Sequence, residues 1–168
     1  MLKTIVYVDG FNFYYGCLKS ANYHTVDLVS LFRDCVLPSS SGVDSELIKL
    51  HYFTSPVQST VSRLAMFSYE NSDLLKVWRL TEKQADVQMA LEFLNDALSG
   101  DVEQLVLCSS DADLLPAFEM VRLKRPDLRL GLVMPCLHGA RKASSRLEEL
   151  ADWCRCMVYP DELAACAS

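Results

Sequence analysis

The sequence predicts a single-domain α/β protein, built as a three-layer α/β/α sandwich around a mainly parallel central sheet. Short apolar segments rich in β-branched residues alternate with helical patterns, which is typical of right-handed βαβ crossovers. The chain has 168 residues, of which 51% are hydrophobic, and this length is enough to bury one core of ordinary domain size. We expect residues 1–168 to form one domain with a short disordered tail over 161–168.

The first predicted element is a buried strand from Thr4 to Val8, which ends where Asp9 and Gly10 form a turn. After Asp27, apolar residues at three- and four-residue spacing predict a helix that stops before Pro38. The middle of the chain is then predicted to contain a strand over 46–54, a helix over 60–69 and a strand over 74–80.

The strongest helix prediction begins at Thr81, since Thr81 to Gln84 match a capping box and Gly100 provides a C-terminal stop. Its apolar residues form one stripe, composed of Val87, Leu91, Leu94 and Leu98. The spacing alone does not distinguish a stripe that faces the core from one that pairs two copies of the chain. The remaining predictions are strands over 102–108, 128–134 and 157–159, and helices over 113–124 and 140–151.

Composition limits the cellular setting and the partners. The net charge of −6 argues against tight nonspecific binding to duplex nucleic acid, but it is compatible with an acidic metal site acting on a polyanion. The sequence has no apolar run near the roughly 20 residues that cross a bilayer, so we expect no membrane association. Seven cysteines form no regular disulfide framework, and we interpret them as reduced thiols of a cytoplasmic protein.

Four aspartates are candidates for one site. Asp9 follows the first strand, Asp111 and Asp113 follow the strand that ends near Cys108, and carboxyl ends of parallel strands open on the same edge of a sheet. Asp86 lies near the start of its helix, where the helix dipole favours a carboxylate. Each aspartate also has an ordinary explanation as a helix cap or strand-end residue. Together they predict a site for Mg²⁺ or Mn²⁺, because packed carboxylates need a hard cation to offset their repulsion.

Three sequence blocks resemble the NYN domain family, in its LabA-like form. They are Tyr7-Val8-Asp9-Gly10-Phe11-Asn12, then Glu82-Lys83-Gln84-Ala85-Asp86-Val87, then Ser109-Ser110-Asp111-Ala112-Asp113. The resemblance implies a Rossmann-like fold of the PIN-like/FLAP nuclease superfamily and metal-dependent action on RNA. It also implies that Asp9, Asp86, Asp111 and Asp113 are metal ligands and catalytic residues, Asp113 through water, with Asn12 assisting at the catalytic site.

Substrate contacts are expected from polar residues on the same edge. We predict substrate binding by Asn12, Ser110, His138, Arg141 and Lys142, although the last three also fit a solvated loop and helix face. Four aromatic residues follow Asp9, and an exposed ring among them could stack an unpaired base, whereas most would pack in the core; they are Phe11, Phe13, Tyr14 and Tyr15. Two Cys-containing pairs, Cys136-x-His138 and Cys154-x-Cys156, fit buried thiols and a loop histidine better than a zinc site.

The sequence therefore favours a metal-dependent ribonuclease acting on single-stranded RNA or RNA loops. A weakly active or inactive RNA-binding module of the same fold is the alternative. A third interpretation takes Asp111-x-Asp113 as the metal-diphosphate motif of a nucleotide-sugar transferase, and the Asp9 block argues against it. A homodimer remains open.

Overall fold

A computed structural model describes residues 1–21, 23, 25–54, 73–79, 81–139 and 142–167. The helix predicted over 60–69 lies outside these residues, as does Arg141.

The described residues form one six-stranded sheet in which every strand pair is parallel. The order across the sheet is β3-β2-β1-β4-β5-β6. The strands are β1 (Leu2–Asp9), β2 (Ser45–Thr54), β3 (Leu75–Arg79), β4 (Gln104–Cys108), β5 (Arg129–Val133) and β6 (Trp153–Arg155). The predicted α/β class with a mainly parallel sheet is confirmed.

The last strand differs from its prediction. It was expected over 157–159, but β6 ends at Arg155, and residues 156–159 have no regular structure. Pairing begins just after the preceding helix, where the Asp152 N–H donates to the Leu130 carbonyl at 2.7 Å. The Trp153 ring covers Gly131, where even a Cβ atom would lie 2.2 Å from the indole. A glycine on β5 therefore makes room for the tryptophan that begins β6.

The first helix starts directly from β1. Helix α1 (Gly10–Phe13) is capped by the Asp9 side chain and continues as a π-helical segment (Tyr14–Leu18). Gly10 is required by close packing, because a Cβ there would lie 2.5 Å from the Tyr52 ring and 2.6 Å from the Phe53 carbonyl oxygen. The turn that carries Asp9 is thus held against β2.

The helix predicted to stop before Pro38 continues through it. It consists of α2 (Leu28–Ser30), a π-helical segment (Leu31–Val36) and α3 (Leu37–Ser40). Pro38 lies just after the π-helical segment, and because proline has no N–H it donates no hydrogen bond to the carbonyl groups of that segment. The Asp27 cap is confirmed, since its side chain accepts from the Ser30 N–H at 3.1 Å.

Helix α4 (Glu82–Ser99) has the predicted boundaries, with a capping box at Thr81 and left-handed Gly100 (φ 84°) at its end. Three residues of its predicted apolar stripe face solvent, since Val87, Leu91 and Leu98 are 60%, 57% and 54% exposed. The fourth, Leu94, is partly buried against the core. The side buried against the sheet carries Met89, Phe93 and Ala97 instead. The helix is apolar on two sides, and the side that contains Phe93 is the one that packs against the sheet.

The remaining helices follow β4, β5 and β6. A 3-10 turn (Ala112–Leu114) precedes α5 (Leu115–Lys124), as predicted, whereas α6 (Ser145–Leu150) begins later than the predicted Ala140. Ser144 still has a non-helical backbone (φ −57°, ψ 131°), so the helical turns start only after it.

The described C-terminal residues, up to 167, are folded against the domain, whereas a disordered tail was expected over 161–168. Helix α7 (Pro160–Ala165) buries Leu163 completely. Glu162 accepts from the buried Arg155 guanidinium at 2.5 Å, and the Cys166 carbonyl accepts from the Asp27 N–H at 2.8 Å. Apolar burial and these bonds hold the segment against the helix that begins at Leu28. These are tertiary contacts, and the local sequence pattern does not reveal them.

Two apolar cores flank the sheet. One packs the helices between β1 and β2, together with α7, against residues such as Val6 and Val8. The other packs α4, α5 and α6 against Ile5 and Tyr7, which alternate along β1 with Val6 and Val8 and so point to the opposite face of the sheet. Both faces of the sheet are therefore covered, as the near-continuous apolar strands require. None of the helices in the described ranges is long and apolar enough to span a bilayer.

Candidate metal centre

Three aspartates meet at the carboxyl edge of the sheet. Asp9 ends β1, Asp86 lies near the start of α4, and Asp111 precedes the 3-10 turn after β4. One carboxylate oxygen from each lies within 4.8 Å of the other two. Strands β1 and β4 are neighbours from which the chain continues in opposite directions across the sheet, and such a switch point is where parallel sheets bind ligands.

Asp9 is held by three hydrogen bonds and is only 5% exposed. Its Oδ1 accepts from the Asn12 N–H at 3.0 Å, and its Oδ2 accepts from the Ser109 hydroxyl at 3.0 Å and from the Asn12 side-chain amide. The carboxylate is thus fixed in orientation before any ligand binds.

Ser109 connects two of the three aspartates. It is fully buried, and while its hydroxyl donates to Asp9, the same oxygen accepts from the Asp111 N–H at 3.0 Å. Ser109 was not predicted to have a role at the site. Its position between a buried strand and the Asp111 turn could have indicated a role. The bond to Asp9 could not be predicted, because it joins residues 100 positions apart and no local sequence pattern reveals it.

Ser110 and Asn12 form the polar rim. The Ser110 hydroxyl donates to Asn12 Oδ1 at 2.5 Å, and both residues line a cleft of about 350 Å³ that also contains the three aspartates, Phe11 and Phe53. Beneath this edge, burial raises the pKa of the Cys108 thiol well above its ordinary value, and nearby Cys17 and Asp9 act in the same direction. The thiol therefore stays neutral and adds no charge to the cluster.

Asp113 lies apart from the other three aspartates. It is exposed and is not part of the group of clustered carboxylates, and its backbone N–H donates to Asp111 Oδ1 at 2.9 Å. The oxygen group at the cleft consists of Asp9, Asp86 and Asp111.

Two of the residues predicted to bind substrate, His138 and Lys142, are described on the loop after β5. His138 and Lys142 are exposed there, next to the edge that carries the cleft, but they are not among its described lining residues. Arg146 is engaged on α6 by Glu119 at 3.4 Å and Glu149 at 3.1 Å.

The donor set fits a hard divalent cation. Carboxylate oxygens are the ligands that Mg²⁺ and Mn²⁺ prefer, and three such groups within 4.8 Å of one another repel unless positive charge is placed between them. The neutral hydrogen-bond donors on Asp9 orient its carboxylate without neutralising its charge.

A second group of potential ligands lies within the sheet–helix interface, where His51, Glu92 and Asp96 approach one another. Trp78 Nε1 donates to His51 Nδ1 at 3.3 Å, so the proton of neutral His51 lies on Nε2, which faces Asp96 Oδ2 at 3.1 Å. The Tyr7 hydroxyl donates to the same oxygen at 2.6 Å. Because the nitrogen that faces Asp96 carries a proton, it has no lone pair for a metal ion. We therefore interpret this group as a buried hydrogen-bond network. In the described part of the chain these are the two groups of clustered ligand atoms, and neither contains a cysteine.

Burial would raise the pKa of Asp96, but hydrogen bonds from His51 and Tyr7, together with the charge of Lys49, lower it below its ordinary value. The pKa of Tyr7 is raised well above its ordinary value by burial and by Asp96. Asp96 is therefore ionised and Tyr7 neutral, so the bond between them is charge-assisted.

Comparisons with known proteins agree with this architecture. A solved structure of a protein of unknown function from Vibrio parahaemolyticus superposes with a TM-score of 0.64 and 17% identity, over 95% of this chain and 94% of that one. A relative described as 6-hydroxy-3-succinoylpyridine 3-monooxygenase HspA, from Pseudomonas putida (strain DSM 28022 / S16), is 29% identical, over 98% of this chain and 70% of the relative. The family model for the NYN domain matches residues 3–152. The chain therefore belongs to the NYN domain family, within the PIN-like nuclease superfamily.

Proposed function

We propose that the protein is a metal-dependent ribonuclease that hydrolyses RNA phosphodiester bonds at the cleft formed by Asp9, Asp86 and Asp111. The observation that carries this proposal is the convergence of one oxygen from each carboxylate within 4.8 Å, in a fold of the PIN-like nuclease superfamily. These three residues would hold Mg²⁺ or Mn²⁺. A divalent cation in such a site supplies a Lewis acid that activates water and offsets charge on the phosphoryl oxygens.

The protein's own residues prepare this site. Ser109 and Asn12 hold the Asp9 carboxylate in one orientation, and Ser109 also fixes the backbone at Asp111. Preorganised ligands of this kind lower the cost of ordering the site during the reaction. Asn12 would assist at the reacting phosphate, and Asp113, which is exposed, would act through water.

Polar groups around the cleft would position the substrate. The Ser110 hydroxyl and Asn12 amide lie on the cleft wall, where they can contact phosphate or ribose oxygens. His138, Arg141 and Lys142, on or beside the loop after β5, would contact flanking phosphates. With a net charge of −6, such local positive charge would be needed to bring RNA to an acidic cleft.

Cleavage of labelled single-stranded and hairpin RNAs with Mg²⁺, Mn²⁺ or EDTA tests the proposal. Asp111→Asn keeps the shape of the side chain and its ability to cap the 3-10 turn, but removes one ligand charge. Asp101→Asn is the matched control, since Asp101 is exposed between α4 and β4, at the amino edge of the sheet. We expect metal-dependent cutting that is lost in Asp111→Asn and retained in Asp101→Asn.

Equal cutting by all three proteins would indicate a contaminating nuclease and overturn the assignment. RNA binding without metal-stimulated cutting would favour the alternative, an inactive or weakly active RNA-binding module of the same fold. Oxidation of a small aromatic substrate would instead align the protein with its monooxygenase relative. The three clustered groups at the described cleft are all carboxylates, which argues against one route to that outcome, a non-haem iron oxygenase, because those enzymes use two histidines and one carboxylate.

A homodimer is a further part of this proposal. The exposed apolar side chains of α4, Val87, Leu91 and Leu98, are spaced as in a paired helix, and the flanking Gln88 and Asn95 carry no charge that would repel a second copy. Sedimentation equilibrium with and without Leu91→Glu would test it. The cytoplasmic location expected from the sequence stays a prediction.

A further inference from the structure

We propose that Phe11 is a stacking platform for an unpaired nucleobase beside the metal centre, and that Tyr15 and Lys19 extend it into a track for single-stranded RNA. This inference rests on the proposed function, because it names the form of RNA that the same cleft accepts.

Phe11 is placed where a substrate base would lie. It follows Asp9 by two positions, lines the cleft together with Asp86 and Asp111, and is 45% exposed. By contrast, Phe13 on the same helix is fully buried. A large apolar ring that stays exposed at the wall of a polar cleft buries little apolar area and so contributes little to stability. Its position is better explained by contact with a ligand.

Neighbouring side chains hold the Phe11 ring. Its centroid lies 4.6 Å from that of Tyr15, with an angle of 47° between the planes, and Tyr15 packs edge-on against Tyr14 at 5.2 Å. A ring supported in this way loses less conformational entropy on binding than a free side chain. The support therefore makes Phe11 a preorganised surface.

The track ends in a positive charge. Lys19 Nζ lies 4.8 Å from the centroid of the Tyr15 ring, and Lys19 is exposed. Phe11, Tyr15 and Lys19 recur at four-residue spacing along one continuous helical run, so the track spans roughly 10 Å. That length corresponds to about three nucleotides at roughly 3.4 Å each, and aromatic rings combined with a nearby cation are the usual means of binding single strands.

The arrangement selects for unpaired nucleotides. In a duplex both faces of an internal base are already stacked, so Phe11 can bind only a base that is single-stranded, bulged or looped out. Stacking depends on the face of the base rather than on its edge, so this track would have little sequence preference.

A binding experiment separates this inference from the nuclease assignment. All variants are made in the Asp111→Asn background, and the probe is a single-stranded RNA with 2-aminopurine at one position, whose fluorescence falls when the base stacks. Phe11→Leu keeps the apolar bulk and removes the ring, Phe11→Trp keeps a ring, and Leu123→Ala is the control. Leu123 is 74% exposed and lies at the end of α5, on the opposite edge of the sheet.

We expect Phe11→Leu to weaken RNA affinity by roughly 5- to 100-fold and to abolish the quenching, while Phe11→Trp and Leu123→Ala retain both. Binding to a blunt duplex should be the same in all variants. Unchanged affinity and quenching in Phe11→Leu would overturn the track, and metal-dependent cutting by the wild type would then still support the nuclease assignment. Ring-dependent quenching in a protein that never cuts would support the track and overturn the nuclease assignment. The absence of RNA binding in every variant would overturn the track, and cutting by the wild type would decide the nuclease assignment separately.

Discussion

The Tyr7 hydroxyl donates a 2.6 Å hydrogen bond to the Asp96 carboxylate, joining β1 to α4 beneath the candidate metal centre. Tyr7 is two positions before Asp9, and Asp96 is on the helix that carries Asp86. Because His51 of β2 bonds to the same carboxylate, the network fixes α4 against β1 and β2. The relative positions of Asp9 and Asp86 therefore depend on a contact outside the cleft itself.

Asp96→Asn should destabilise the fold by about 2 kcal/mol, because hydrogen bonds to a buried charged group contribute about 1.5–3 kcal/mol. Urea unfolding measures the change, with Asp101→Asn as an exposed aspartate control. Equal unfolding midpoints for the two variants would show that the network contributes nothing to stability.

The contribution of Asp96 should depend on pH. Although burial acts to raise it, the folded-state pKa of Asp96 is lowered by His51, Tyr7 and Lys49, so folding favours the ionised form. The stabilisation is therefore complete above the unfolded-state pKa of about 3.9 and is lost as the pH falls through the lower folded-state pKa. The difference in unfolding free energy between wild type and Asp96→Asn should be constant near neutral pH and shrink below about pH 4. If the difference in unfolding free energy grew in acid, Asp96 would not stabilise the fold through its ionised form.

Mg²⁺ or Mn²⁺ should raise the melting temperature, since a ligand that binds only the folded state stabilises it by about 2.7 kcal/mol at 100 times its Kd. Asp111→Asn should abolish the response. In EDTA the same variant should be at least as stable as wild type, because it relieves repulsion among carboxylates within 4.8 Å. A metal-induced shift that persists in Asp111→Asn would place the cation elsewhere.

Gly16→Ala should destabilise the protein by more than about 3 kcal/mol, because overpacking against rigid neighbours typically costs 1–3 kcal/mol or more. The added Cβ would lie 1.5 Å from the Pro135 carbonyl oxygen, and backbone cannot move aside as a flexible side chain can. Gly42→Ala is the control, since nothing lies within 4 Å of its Cβ and only its positive φ of 65° is strained. Thermal unfolding of both variants distinguishes close packing from backbone strain.

The two apolar sides of α4 should respond differently to substitution. Leu91→Gln changes a side chain that is 57% exposed and should alter monomer stability by less than about 0.5 kcal/mol. Phe93→Ala empties a fully packed position and should cost about 3–5 kcal/mol. Comparable losses for the two, measured at a concentration where the protein is monomeric, would mean that Leu91 also packs against the fold.

Much of the site could be predicted because parallel strands place their carboxyl ends together. Asp9 and Asp111 each follow a buried apolar strand, and the capping pattern at Thr81 fixed the start of the helix that carries Asp86. Which face of α4 meets the sheet was not predictable, because Leu91 and Phe93 both belong to apolar stripes and only tertiary packing distinguishes them. The position of Asp113 depends on a 3-10 turn rather than an α-helical one, which the sequence pattern does not distinguish.

The central position of β1 also determines when the cleft can form. Thr4 of β1 pairs with Gln104 of β4, 100 positions later, and parallel pairing across such a separation is slow because the loop must close before contacts form. During synthesis at roughly 5–20 residues per second, Asp9 leaves the ribosome well before Ser109 and Asp111. A growing chain therefore carries Asp9, and later Asp86, without the serine that orients Asp9, and the complete site can arise only after Asp111 has been made.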